Sequence, residues 1–229
     1  MSNRIFLLFE TWFVIIQSLF EKRRTSPTKE EAMRKRNILM FFLILCVCFV
    51  YCVKNAGATA IVGIIQDGRI WVSGDSRAVS GYTITDDVQK VFKSEDGRFI
   101  VGFAGSLRGG QVLQYFLKVP LQEKNQTVLE FMVKTFVPAI QKCLSEKNGG
   151  MVEIIVGYKS RLFLIDSEFV VIESTLRGFD AIGIGRAYCL GSLCATEGMS
   201  PEQRIKIAIE AAARFNAAVA PPINVLTLP

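Results

Sequence analysis

From residue 59 onward the apolar positions fall into short runs separated by polar tips. TAIVGIIQ and RIWVSGDS predict strands over 59–66 and 69–76, joined at Asp67-Gly68, a tight-turn pair that favours a hairpin. A less regular stretch, 80–93, leads through Lys90, Val91 and Phe92 to RFIVGFAG at 98–105, a further strand ending in glycine. Helical spacing replaces alternation between Leu107 and Val119 and again over 126–146, where Pro138 kinks the helix or displaces its first turn. MVEIIVGY (151–158), RLFLID (161–166) and FVVIES (169–174) again read as strands. Two helices follow over 184–196 and 201–217, the second opened by Ser200 as N-cap and Pro201 at the first helical position. INVLTL at 223–228 is a closing strand. This order predicts an α+β chain with two antiparallel sheets stacked face to face and a helix pair outside each, a four-layer αββα sandwich.

Ahead of residue 59 the pattern is different. In MRKRNILMFFLILCVCFVYCVKNAGA (33–58), Arg34-Lys35-Arg36 precedes an uncharged run, 37–53, that ends in small residues. That is the layout of a secretory signal, with Ala56 and Ala58 three and one residues before Thr59. The 17 uncharged residues also lie at the short limit of a membrane span. An earlier apolar stretch, 5–20, is broken by Glu10 and followed by KRRTSPTKEE. It reads as a second span, an interfacial helix, or upstream sequence with Met33 as the start. All these readings divide the chain into a leader or propeptide, 1–58, and a folded domain, 59–229. The leader points to export or membrane association; as a propeptide or untranslated segment it leaves the domain cytoplasmic.

Charge follows the same division. The chain carries +6, but residues 1–58 hold nine Lys/Arg against four Glu, leaving 18 basic and 17 acidic groups in the body. A nearly neutral body argues against a nucleic-acid partner. There is no histidine, which excludes a Ser-His-Asp or Cys-His enzyme. Cys46, Cys48 and Cys52 lie in the leader; Cys143, Cys189 and Cys194 are scattered through the body without C-x-x-C spacing. No zinc site or other cofactor is expected, and the body cysteines read as small buried hydrophobes.

A chain without histidine can still run nucleophilic chemistry if Thr59 becomes an amino terminus. Its hydroxyl is a weak nucleophile, but an α-amino group of pKa about 7.7–8.0 is partly neutral near pH 7 and serves as base. A nearby cation would lower the amine and hydroxyl pKa values, and a carboxylate would hold that cation. Asp75 in GDSRA and Lys90 in VQKV stand downstream for these roles, with Lys93 as the alternative lysine. Gly102 and Gly105 in VGFAG offer backbone N–H groups open to close approach by an oxyanion.

These stretches together carry a resemblance. TAIVGIIQDGRIWVSGDSRAVSG, VQKV and RFIVGFAGS resemble the start of a proteasome-type threonine peptidase of the N-terminal-nucleophile hydrolase superfamily, in particular the bacterial two-ring proteasome-like peptidase and its phage-type relatives. The family pattern there is T-T-x-V-G, G-D-x-R/Q-A, K-K-V/I and A-G-F-A-G. DAIGIGRAYCLGSL resembles the later A-I-G-S-G-x-x-Y-A-L-G segment, so that the likeness spans 59–228. It implies Thr59 as nucleophile, Asp75 as the acid orienting Lys90, Lys90 as the active-site lysine, and Gly102 as the oxyanion-hole N–H. Arg77 takes the structural position beside the acid. Ala78, Ile100 and Ala104 would line the pocket for the residue before the scissile bond, implying cleavage after hydrophobic residues.

The chain departs from the pattern at Ile184, where the family has serine, and at Asn216, where proteasomes carry a further acid. Ala60 replaces the second threonine, and Ala58 precedes the nucleophile. The resemblance thus implies a threonine endopeptidase subunit acting on polypeptides within a homo-oligomeric ring. A separate ATP-driven unfoldase would feed the ring, since no ATPase motif occurs in this sequence. A catalytically impaired shell subunit, or a small-amide hydrolase on the same fold, are the alternatives.

Overall fold

The computed structural model describes residues 59–80 and 83–229, and, ahead of them, the helical positions Met33, Asn37, Ile38, Met40 and Phe41. The leader readings otherwise lie outside the described residues. No helix among the described residues is long and apolar enough to cross a membrane. Every element below belongs to one compact unit, Asn55–Pro229.

In chain order the strands are β1 (Ile61–Gln66), β2 (Arg69–Asp75), β3 (Ala78–Ser80), β4 (Thr83–Thr85), β5 (Val91–Lys93), β6 (Phe99–Gly105), β7 (Val152–Tyr158), β8 (Arg161–Ile165), β9 (Val171–Glu173), β10 (Phe179–Ile182) and β11 (Ile223–Leu228). One sheet has the order β10-β1-β2-β11 and the other β5-β6-β7-β8-β9, with β3 and β4 as a separate ribbon. All pairings are antiparallel. The helices are α1 (Leu107–Phe116), α2 (Val128–Phe131), α3 (Val137–Glu146), α4 (Arg186–Ala195) and α5 (Pro201–Phe215).

The two-residue period of a strand decides the layers. Ile61, Ile70 and Val72 from the first sheet meet Ile100, Ile155 and Leu162 from the second in a cluster between the sheets. The intervening Ala60, Val62 and Ile64 face Cys189, Leu193, Ile205 and Ile209 on α4 and α5. On the far side Phe99, Val101, Phe103 and Val156 pack on Phe131, Phe136 and Ile140 of the other helix layer. Both sheets are thus covered on both faces, which is why their strands read as nearly unbroken apolar runs. The result is the expected four-layer αββα sandwich, and among the described residues all three apolar clusters are drawn from 60–228.

Glycines on the inner faces let the sheets approach. A Cβ at Gly63, Gly102 or Gly157 would lie 2.8, 2.5 or 2.6 Å from the side chains of Ile155, Ile61 and Ile100 respectively. Elsewhere the structure corrects the pattern. β10 is a four-residue strand in a stretch to which the pattern assigned no element; it is too short to show a period, and its pairing with β1 makes it a strand. The irregular stretch 80–93 resolves into β3, β4 and β5. Pro138 sits in the first turn of α3, directly after a π-helical turn, Met132–Phe136, where the Val137 N–H reaches back to the Met132 carbonyl. Widening that turn accommodates a residue with no N–H to donate. Ser200 caps α5 as its sequence indicates, with Gln203 completing the capping box. Cys143 and Cys189 are buried, whereas Cys194, also expected inside, is exposed. Burial pushes the Cys189 thiol up to about 12, so it is an inert core group.

Gly157→Ala is expected to destabilise the domain by about 1–3 kcal/mol, because Ile100 and Ile70 must move to admit one methyl group. A lower urea midpoint with an unchanged slope in denaturation is the outcome that checks it.

Candidate active site

β2 ends at Asp75, a fully buried carboxylate. Its Oδ1 accepts the Ala60 N–H at 2.9 Å and the Lys90 ammonium at 2.9 Å. Its Oδ2 accepts the amides of Arg77 at 3.1 Å and Ala220 at 3.3 Å. Four donors match the roughly four acceptor positions of an ionised carboxylate. The residue thereby ties together the start of β1, the turn after β2, the approach to β5 and the loop before β11.

Lys90 lies just before β5, and its side chain is fully buried. Besides Asp75 it donates to the Arg77 carbonyl. Its own carbonyl accepts the Phe103 N–H at 3.0 Å, pinning its backbone to β6. Burial pushes the ammonium below the ordinary lysine value, while the charge and hydrogen bond of Asp75 act in the opposite direction. Lys93 is exposed on β5, so Lys90 is the lysine that Asp75 holds. Arg77 turns its guanidinium outward to Asp86 at 2.6 Å and to the Ala217 carbonyl at 2.9 Å.

Thr59 is buried immediately before Ala60, whose N–H lies on Asp75. Its carbonyl accepts the Gly185 N–H at 3.1 Å. Gly183 has φ +85°, and a Cβ there would come within 2.4 Å of the Thr59 carbonyl oxygen. A Cβ at Gly185 would approach the Ala60 Cβ to 2.7 Å. Glycine at both positions therefore lets the turn after β10 lie against Thr59 and Ala60.

The structure thus gathers Thr59, Asp75 and Lys90 around one hydrogen-bonded carboxylate. Ala104, buried on β6, lies 3.3 Å from where a Gly183 Cβ would stand, and Ala78 is buried on β3. Two other expected residues lie on the same inner face of β6 as Ala104. Ile100 is fully buried in the cluster between the sheets. Gly102 stands mid-strand opposite Val91 and Ile155. The next residue, Phe103, sends its N–H toward the β5 side, so alternation sends that of Gly102 into the β7 ladder. Gly105 ends β6, is exposed, and has φ +105°. Two residues beyond Phe103, it directs its N–H to the Lys90 side. Ile184 is 41% exposed, and the Asn216 side chain accepts the Ala218 N–H at 2.9 Å, closing the turn after α5.

Pattern reading missed two contributors: the Ala220 amide, and Glu153 on β7, whose Oε2 accepts the Gly183 N–H at 3.2 Å. Backbone donors leave no trace in sequence. Glu153 does leave one, as the single charge within the apolar run of β7.

Removing either member of a buried ion pair strands the other charge. Asp75→Ala and Lys90→Ala are each expected to cost about 3–5 kcal/mol, and the double variant clearly less than their sum. Urea unfolding of the three variants measures that coupling.

Comparisons with known proteins bear on the family and the fold. A family model described as "Proteasome subunit" matches residues 55–215. The ATP-dependent protease subunit HslV of Cytophaga hutchinsonii is 29% identical over 141 residues, covering 60% of this chain and 76% of that protein. Its counterpart from Aquifex aeolicus is 35% identical over 78 residues, covering 34% of this chain and 44% of that one, so less than half of that relative's length is spanned. Among solved structures, Thiobacillus denitrificans BPH in complex with epoxomicin superposes with a TM-score of 0.61 at 19% identity, covering 74% of this chain and 98% of that one. With most of its length matched by that family model, the chain belongs to the proteasome subunit family.

Proposed function

We propose that the chain is a threonine-type endopeptidase subunit whose domain, 59–229, becomes active when the leader, 1–58, is removed and Thr59 is the amino terminus. The observation that carries this reading is Asp75 bonded at once to the Ala60 amide and to the buried Lys90 ammonium. A fixed cation next to the first residue is what a terminal amine needs to be neutral, and so to act as a base, near pH 7.

In this mechanism the Thr59 Oγ attacks the carbonyl carbon of the scissile peptide while the α-amine takes the hydroxyl proton. The oxyanion is held by a backbone N–H at the end of β6. The exposed Gly105 suits that role better than Gly102, whose amide is directed into the sheet. As the C–N bond breaks, the leaving amine takes the proton from the terminal ammonium and an acyl ester remains on Oγ. Water attacks the ester, its proton passing to the α-amine; the C–Oγ bond then breaks, the terminal ammonium returns a proton to Oγ, and the new carboxyl end of the peptide leaves. Ala78 and Ala104 leave an apolar wall for the residue before the cut. Polypeptides are the substrates, in a ring of like subunits; the relatives' description as ATP-dependent protease subunits fits a separate ATPase partner.

A second reading, a shell subunit with an impaired site, is favoured by the exposed Ile184 and by the local engagement of Asn216. N-terminal sequencing and mass spectrometry after treatment with epoxomicin separate the two. The peptidase reading expects a terminus at Thr59, one inhibitor mass added there, and loss of peptide hydrolysis with intact assembly in Thr59→Ala. An intact leader with no adduct would leave the shell reading standing.

A further inference from the structure

Resting on the reading that Thr59 becomes a terminus, we infer that Glu153 is a positioning residue for it: its carboxylate holds the turn that grips Thr59, and its charge keeps the freed amine's pKa up. Along β7, Val152, Ile154, Val156 and Tyr158 face the helix layer. Glu153, Ile155 and Gly157 therefore face the other sheet. Ile155 is core there, and an acid in line with it has a desolvation cost unless it finds donors. Glu153 stands opposite Ala104 at the rim, where it accepts the Gly183 N–H at 3.2 Å.

Gly183 leads straight to Thr59. Its α-carbon lies against the Thr59 carbonyl, and Gly185 two residues on donates to that oxygen at 3.1 Å. In an antiparallel strand the N–H and C=O of one residue point to the same side. Ile65 on β1 donates to the Gly178 carbonyl, showing that the odd-numbered residues of this strand address the β10 side. Thr59 precedes this strand, and its carbonyl meets the Gly185 N–H on that same side, which sets the residue beside the turn that Glu153 holds. An ammonium formed there is stabilised by the carboxylate, opposing the effect of Lys90.

Other ionisable groups on the packed elements have partners of their own. Asp75 and Lys90 pair with each other. Asp180 accepts from Ser174 and Arg177, with Arg186 3.9 Å away. Asp166 accepts the amides of Glu168 and Val170, and Arg161 pairs with Glu173 at 3.0 Å.

The test uses the domain beginning at Thr59, the form the proposal concerns; among the described residues the three apolar clusters lie within it. The α-amine pKa is read from the pH dependence of reductive methylation, followed in the N-terminal peptide by mass spectrometry. Glu153→Gln keeps an acceptor for Gly183 but loses the charge. The amine pKa should fall by about 0.5–1 unit, and the acid limb of kcat/KM should move with it. Glu153→Asp keeps the charge and should leave the amine within about 0.2 unit of wild type. Glu153→Ala should lower kcat about tenfold with KM within about twofold, since the turn loses its anchor. An amine pKa equal in wild type and Glu153→Gln, or a fall in Glu153→Asp as large as in Glu153→Gln, overturns the proposal. A shifted amine in a domain that hydrolyses no peptide would instead uphold the role of Glu153 and refute the peptidase reading.

Discussion

The buried pair of Asp75 and Lys90 is the constraint around which this end of the molecule is built. Two charges withdrawn from water cost several kcal/mol each, and their mutual attraction repays that only when the remaining donors and acceptors are satisfied. Asp75 meets the condition by taking donors from four separate parts of the chain. Each donor is thereby fixed in place: the backbone after Thr59, the turn that carries Arg77, the lysine before β5, and the loop that leads into β11. Stability and chemistry draw on the same atoms, and the arrangement that neutralises the lysine's burial also sets a cation beside the first residue of the domain.

That arrangement depends on how closely the two sheets approach. Lys90 belongs to the second sheet's chain segment and Asp75 to the first sheet, and they meet at 2.9 Å because glycines on the inner faces remove the side chains that would hold the sheets apart. Close-packed interiors transmit such displacements. The glycines of the inner faces therefore bear on the site as well as on the core. The Gly183–Gly185 turn completes the enclosure from the other side, pressing on Thr59 through contacts that any Cβ would obstruct.

The relatives add family membership and a fold, and the residues of this chain add what is particular to it. Ile184 is turned to solvent and Asn216 serves a local turn. The polar group that reaches the Thr59 side of the turn after β10 is Glu153, on a strand that sequence reading treated as core. The site thus carries an acid in a place that no motif marks.

The amino-acid sequence by itself determined the larger part of the architecture. Apolar runs, the Asp67-Gly68 turn and the Ser200-Pro201 cap are local signals, and local signals specify which segments are strands and helices. It also offered Thr59, Asp75 and Lys90 as candidates, through the absence of histidine and through the resemblance of TAIVG, GDSRA and VQKV to a proteasome-type peptidase. What tertiary structure alone decided is where chemically equivalent groups stand. Lys90 rather than Lys93 meets Asp75, Gly102 lies in a ladder while Gly105 ends one, and Ile100 turns inward. β10 exists only through its pairing with β1. Spacing along the chain cannot settle these matters, because strand pairing and the two-residue alternation of faces choose a group's surroundings.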